Sequence, residues 1–308
     1  RRLEKHAEAF NAFGRALRED PANERTLAEV ERLADATRAW DKLSGLYEAE
    51  ITRTMDQARQ VDLLQRVARV YEEELGQPEK AITTLRRVLD VDTENRASIY
   101  KLDRLYEGQG RFAELAEILR REVGLGATED EQIGTQFRLG QTYELQLKDL
   151  GSAIQVYREI LAARPDHGPT LTSLEMIFAE GQFQREIAQI LEPLYRVAEQ
   201  WEKLSAIYEV ELEKLTDKTE RQQMYQRLAE ISEQKLLDEV RAFQWWGRAF
   251  GEDPRAELAG EEVERLAKTT GSWAELVGVY GDVLTREQDP QVQRIVLLKV
   301  ARVHDLEL

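Results

Sequence analysis

The most regular polar feature of the sequence is a basic residue that returns at a fixed phase: Arg66, Arg138, Arg227 and Lys299, at intervals of 72, 89 and 72 residues. An acid follows six positions after each, as Glu72, Glu144, Glu233 and Asp305. Guanidinium groups grip carboxylates and phosphates through two parallel hydrogen bonds. One reading is therefore a basic stripe that holds acidic side chains or phosphates of a partner. The other is a set of ion pairs between adjacent helices of the same chain, each contributing about 0–1 kcal/mol at a surface. The second is preferred, because duplicated units inherit such pairs without selection for binding.

Trp245 is the other candidate partner contact. Its neighbour Trp246 falls on a repeated aromatic position, so Trp245 turns about 100° away along a helix. It is left either partly exposed, where it could anchor a partner, or packed under the next hairpin. Trp40, Phe112, Trp201 and Trp273 open helices at one phase with Leu three residues on, which reads as core. His6, His167 and His304 lie far apart, without the spacing of a metal site. Gly124-Leu125-Gly126 lacks the preceding strand that a phosphate cradle needs. Carboxylate pairs are inevitable among 59 acids, and a catalytic pair needs a water-poor pocket. No catalytic residue, cofactor or metal is expected.

The elements that carry these residues come in repeats. Ala153, Tyr157, Ile160, Leu161 and Pro165 have counterparts in Ala9, Phe13, Ala16, Leu17 and Pro21. Ala81, Leu85, Val88 and Leu89 match as well, as do Ala242, Trp246, Ala249, Phe250 and Pro254. The preceding helix repeats as Val67-Ala68-x-x-Tyr71, Leu139-Gly140-x-x-Tyr143, Leu228-Ala229-x-x-Ser232 and Val300-Ala301-x-x-His304. The small residue permits close approach of a neighbouring helix, and the residue three on lies along the same side.

A second hairpin type alternates with the first. It reads Val30-Glu31-Arg32-Leu33 with Trp40 and Leu43, Leu102-Asp103-Arg104-Leu105 with Phe112 and Leu115, and Val263-Glu264-Arg265-Leu266 with Trp273 and Leu276. Each 72-residue unit thus holds two hairpins of about 36 residues, a solenoid period. The 89-residue interval carries 17 extra residues, between Leu174-Glu175-Met176-Ile177 (with Phe183) and Leu191-Glu192-Pro193-Leu194 (with Trp201). Pro193 suits a first helical turn and breaks a helix interior, so two short helices are expected, about 183–191 and 193–200, with the array irregular there. Thr54-x-x-Gln57 and Thr128-x-x-Glu131 read as capping boxes, and Asp289-Pro290 as an acid cap before a first-turn proline. Gly76, Gly108, Gly110 and Gly181 read as helix stops. No alternating β pattern occurs. The expected fold is all-α, about 18 helices in one continuous array over 1–308, with units near 1–39, 40–111, 112–200, 201–272 and 273–308.

Lys and Arg number 43 against 59 acids, a net charge of −16. That sign disfavours nucleic acid and anionic lipid. There is no cysteine, compatible with cytosol or periplasm, and no apolar run approaches the ~20 residues of a membrane span. The chain opens Arg1-Arg2-Leu3-Glu4 in a second helix without its first, and its end interrupts another hairpin. The expectation is a fragment of a longer protein, able to assemble through uncapped ends.

Leu139, Gly140, Tyr143, Ala153, Tyr157 and Pro165 resemble the tetratricopeptide repeat, L-G-x-x-Y then A-x-x-x-F then P over 34 residues, with one extra residue in the turn. The array is also similar to long arrays of this type in large bacterial proteins, including envelope and motility scaffolds. The resemblance implies a right-handed superhelix with first helices lining a concave groove, where a partner's peptide or helix binds, and it implies no chemistry. Family members that clamp a C-terminal carboxylate or carry an asparagine ladder place Asn just before the first-helix apolar pair. That position holds Arg66, Arg138, Arg227 and Lys299 here, so neither subtype is expected. The function expected is a non-catalytic scaffold for protein–protein contact; the alternative is a structural spacer or assembly strut. Ala153→Asp is expected to unfold its surroundings, and Arg138→Glu to leave the fold intact.

Overall fold

A computed structural model describes residues 2–20 and 23–308; the predicted repeat proline Pro21 and the opening Arg1 lie outside the described residues. The described residues form seventeen α-helices and no strand, one fewer helix than expected. The chain divides into two compact units, 1–164 and 165–308.

The first unit holds α1 (Arg2–Glu19), α2 (Glu24–Thr37), α3 (Trp40–Arg53), α4 (Gln57–Arg69), α5 (Pro78–Val91), α6 (Arg96–Gly108), α7 (Phe112–Val123), α8 (Glu129–Gln141) and α9 (Leu150–Ala163). Each helix packs chiefly on its sequence neighbours, the arrangement of a hairpin stack whose core grows by addition. Ala81 and Ala153 are fully buried, and Ala9 is partly so. The apolar stripe of α2 and α3 (Leu27, Val30, Leu33, Leu43, Tyr47) is buried with Leu63, Leu64 and Val67 of α4. Burying each such aliphatic side chain contributes about 1.5–3 kcal/mol.

The extra residue in the first-type turns has a definite structural outcome. Both α4 and α8 run on into a π-wound turn, Val70–Glu74 and Thr142–Leu147. The Leu75 amide donates to the Val70 carbonyl at 3.0 Å, an i→i+5 bond, and the Asp149 amide reaches the Tyr143 carbonyl at 2.9 Å. A single inserted residue is accommodated by widening one turn, which keeps the buried face of the helix continuous.

The second unit holds α10 (Gly168–Ala179), α11 (Gln184–Val197), α12 (Trp201–Lys214), α13 (Lys218–Gln234), α14 (Glu239–Glu252), α15 (Glu257–Thr270), α16 (Trp273–Arg286) and α17 (Pro290–Leu306). The two short helices expected over 183–200 do not form. A single helix, α11, runs through Pro193. Pro193 is exposed, while Ile187, Ala188, Leu191 and Tyr195 are buried along one stripe. The proline removes one amide donor on the solvent side, and the buried stripe holds the helix together across it. Phe183 does not open the helix as a core aromatic. It precedes α11 with φ 51° and is 46% exposed.

Caps fix where the helices start. Asp56, not Thr54, caps α4, accepting from the amides of Ala58 and Arg59; Thr54 closes α3 instead. Thr128 accepts from the Glu131 amide at 3.2 Å, and the Glu131 carboxylate reaches back to the Ala127 amide at 2.8 Å. Asp289 caps α17 ahead of Pro290. Gly76, Gly110 and Gly181 take positive φ at turns, where a side chain would be strained.

Candidate protein-binding surface

The basic series lies on first-type first helices, and three of its members are engaged within the chain. Arg66 of α4 donates to Glu31 of α2 at 3.1 Å, to Glu24 at 3.1 Å and to Asp62 of its own helix at 3.1 Å. Arg138 of α8 donates to Asp103 at 2.7 Å and Glu107 at 2.8 Å, both on α6. Lys299 of α17 donates to Glu264 of α15. The partner in each case is the acid of the second-type signature, 35 residues upstream. The acids six residues on pair in the opposite direction. Glu72 meets Arg104, and Glu233 meets Arg265 at 2.7 Å. The two sets of pairs stitch consecutive first helices to one another.

A tyrosine completes this contact. Tyr47 donates to Glu31 at 2.9 Å and Tyr280 to Glu264 at 2.7 Å. In each case the hydroxyl and the cation share one carboxylate oxygen. Burial, then the adjacent carboxylate, pushes both phenols far above their ordinary range, so they remain hydrogen-bond donors. Burial disfavours the charge on Arg66, but Asp62 and Glu31 more than offset it and hold the guanidinium protonated. Burial likewise works to raise the Glu264 carboxyl, and Lys299 and Tyr280 outweigh it, leaving it lowered. In the second repeat the tyrosine position is the buried Leu119, and Asp103 Oδ1 is buried without a partner. The signal for these tyrosines lies in the sequence, as a Tyr seven residues after Trp40, Trp201 and Trp273.

Arg227 departs from the series. It is exposed on α13. Its upstream acid, Glu192, accepts instead from Arg196 at 2.6 Å and Tyr208 at 2.7 Å. Helix α11 also serves the preceding helix, because its Tyr195 donates to Glu175 of α10. The inserted helix thus answers α10 as a second helix and α12 as a first.

Trp245 is 7% exposed. Its ring lies 6.2 Å from that of Tyr225, and the Arg248 guanidinium stacks over it at 4.5 Å. Of the openers, Trp40 is buried, and Phe112, Trp201 and Trp273 are half-buried. His167 pairs with Thr170 at 2.8 Å. Among the described residues no group of His, Asp and Glu is arranged to hold a metal ion, and no helix is long and apolar enough to cross a membrane. Two clefts of about 530 Å³ open on the second unit, one lined from α11, α12 and α13 and the other from α13, α14 and α16.

The tetratricopeptide repeat profile matches residues 62–92 and 133–167, the two first-type hairpins of the first unit. These two hairpins are tetratricopeptide repeats. Within each unit the helices stack as all-α hairpins of tetratricopeptide-repeat type, a fold that generally serves as a non-catalytic scaffold for protein contacts. No curated protein sequence matches the chain. Similar solved structures include Naa15/Naa10 bound to HypK-THB, at 15% identity, TM-score 0.37, covering 95% of this chain and 47% of that one. The chain thus spans about half the length of that relative. Others are the TPR2AB domain of yeast Sti1 in a pHSP90 complex, at 15% identity, TM-score 0.33, covering 80% and 99%, and a tetratricopeptide repeat protein of Parabacteroides merdae, at 13% identity, TM-score 0.33, covering 85% and 92%. Around these repeats the helices of each unit leave open clefts such as the two described above.

Proposed function

We propose that this tetratricopeptide repeat protein is a non-catalytic scaffold that holds a peptide or helix of a partner protein along its first helices, within a repeat frame running over residues 1–308. The observation that carries this reading is the contrast within the basic series. Arg66, Arg138 and Lys299 are spent on internal pairs, and Arg227 is exposed beside an open cleft of about 530 Å³. Arg227 is therefore the member of the series available to a partner, and Trp245, at 7% exposed, supports its helix from within. Selection of a displayed random-peptide library against the chain, followed by calorimetry of the winning peptides, tests the reading. Enriched sequences that bind with one-to-one stoichiometry are expected. Failure of every selected peptide to bind the purified chain would overturn it.

The alternative reading is a spacer or assembly strut in a larger complex, bacterial envelope or motility assemblies among them. It draws on Ile295, Leu297 and Leu298 of α17, each more than half exposed. It requires association through that face and no peptide recognition, so Leu298→Glu separates the two. The substitution abolishes the association of a strut and leaves peptide binding by a scaffold unchanged.

A further inference from the structure

Within the second unit, the surroundings of Arg227 are those of Arg66 with the acids removed. Three carboxylates converge on Arg66: Glu24, Glu31 and Asp62. Their counterparts 161 residues later are Arg185, Glu192 and Gln223. Glu24 has become a cation, and Asp62 has become a neutral amide. Glu192 remains, but Arg196, one turn along α11, holds it together with Tyr208. Arg196 stands where the first repeat has Asp35 and the second has Glu107, itself a partner of Arg138. A cation in that place both occupies Glu192 and repels Arg227. Arg185 and Arg227 are exposed, and neither forms a hydrogen bond or ion pair among the described residues.

The two guanidiniums line one cleft of about 530 Å³, with Lys214 beside them and Val210, Leu215 and Met224 as apolar wall. Glu211 and Glu220 also line it, and neither forms an ion pair with them. Glu211 is half-buried. Burial and Glu192 raise its carboxyl, against the lowering effect of Arg185 and Arg227, so it is a weakened competitor.

We propose that this cleft takes an acidic side chain, Asp or Glu, from an internal segment of a partner protein, with an adjacent apolar residue on the Val210–Leu215–Met224 wall. The partner's carboxylate supplies between Arg185 and Arg227 what Glu24 and Asp62 supply to Arg66. The charge complementarity is local, since the chain as a whole is acidic, and it selects where along the array an acidic segment settles. The inference rests on the scaffold reading and adds the class of segment bound.

The test is fluorescence anisotropy of the full chain with a labelled, C-terminally amidated peptide that carries Glu-Leu pairs spaced by Gly-Ser. Arg227→Glu and Arg185→Glu are each expected to weaken binding about tenfold or more. The pair Arg185→Glu with Gln223→Asp rebuilds the first-repeat environment around an intact Arg227 and is expected to abolish binding by filling the site from within. Arg294→Glu on α17, with the same change in charge as either single variant, is expected to leave binding intact. All four positions lie outside the buried core, and thermal melts confirm that each variant is folded. Equal loss with Arg294→Glu, or no loss with Arg227→Glu, overturns the proposal. So does binding that survives replacement of the peptide's Glu by Gln, that requires a free C-terminal carboxylate, or that strengthens more than about tenfold with phosphoserine in place of Glu. An absence of binding to this peptide, with library-selected peptides still bound, overturns the acidic-segment inference and leaves the scaffold reading standing.

Discussion

Gly140 sits directly against the ring of Tyr157: a Cβ built on it falls 2.3 Å from one ring carbon and 2.9 Å from the next. Tyr157 is fully buried, and its hydroxyl donates to Glu144 at 2.6 Å, so the ring cannot swing away. In the preceding unit the same pair of positions holds Ala68 and Leu85, both buried. The α8–α9 hairpin is thus fitted as a glycine beneath a large ring, and the α4–α5 hairpin as an alanine beneath a smaller side chain.

Gly140→Ala is accordingly expected to destabilise the protein by about 1–3 kcal/mol, overpacking outweighing the better helix propensity of alanine. The double variant Gly140→Ala, Tyr157→Leu copies the preceding hairpin and should recover part of that loss. Urea unfolding of the single and double variants measures both effects. A double variant weaker than the sum of the two single changes would mean that the ring contact is not the cause.

Charge reversal at Arg138 should be destabilising, contrary to the expectation from the sequence that the fold stays intact. Asp103 is nearly buried and takes its 2.7 Å bond from Arg138. A glutamate there faces Asp103 and Glu107 with no cation between them. The cost of breaking such a partly buried pair is about 2–3 kcal/mol. Arg138→Met, which removes the charge and keeps the stem, should cost less. Chemical denaturation of the two variants at neutral pH ranks them.

Glu122 offers the reverse effect. Burial raises its carboxyl, Asp103 adds to the rise, and Arg138 only partly offsets it; its Oε2 is buried without a partner. Glu122→Gln should stabilise the protein at neutral pH by about 1 kcal/mol. A raised carboxyl is penalised when ionised. The penalty is absent below the unfolded-state value, grows as pH rises, and is complete above the raised folded-state value. The advantage of the glutamine variant should therefore shrink as pH falls into the acid range, which parallel thermal melts across that range would show.

Pro193→Ala should stabilise α11. The proline is exposed in the helix interior, where it withholds one backbone bond and crowds the preceding turn. A gain of about 1–3 kcal/mol is expected, read from unfolding midpoints. Amide exchange across 189–197 should slow in the variant; unchanged exchange there would locate any gain elsewhere.

The sequence disclosed the hairpin frame because alanine, glycine and aromatic positions recur at one phase, and a phase shared by four copies outweighs any local propensity. The frame's polar contacts were harder to see. Ion pairs between adjacent helices are foreseeable from the Arg66 phase, but the identity of the partners Glu24 and Glu31 is visible only once two helices are laid side by side. The extra turn residue was legible as an insertion, though not as a π-wound turn, since width is set by how the Tyr71 and Tyr143 faces stay buried. The sequence does not show that Pro193 faces solvent, and the buried Ile187, Leu191 and Tyr195 stripe decides that one helix runs through it. Trp245 could be placed off the repeat face, and Arg248 lies within its own helical turn, but the covering Tyr225 lies on α13, beyond any single-helix pattern.

Helix α11 offers Tyr195 to the carboxylate on one side and Glu192 to the tyrosine on the other. Duplication of whole hairpins lengthens a chain two helices at a time. A helix that carries both halves of the same handshake permits odd-numbered growth, because neither neighbour loses its polar mate when one helix is spliced in or cut out. Deleting the stretch from Glu175 through Met176 up to Leu191 would join Leu174 to Glu192, leave Tyr208 facing Glu192 as before, and restore the shorter interval found between the other copies.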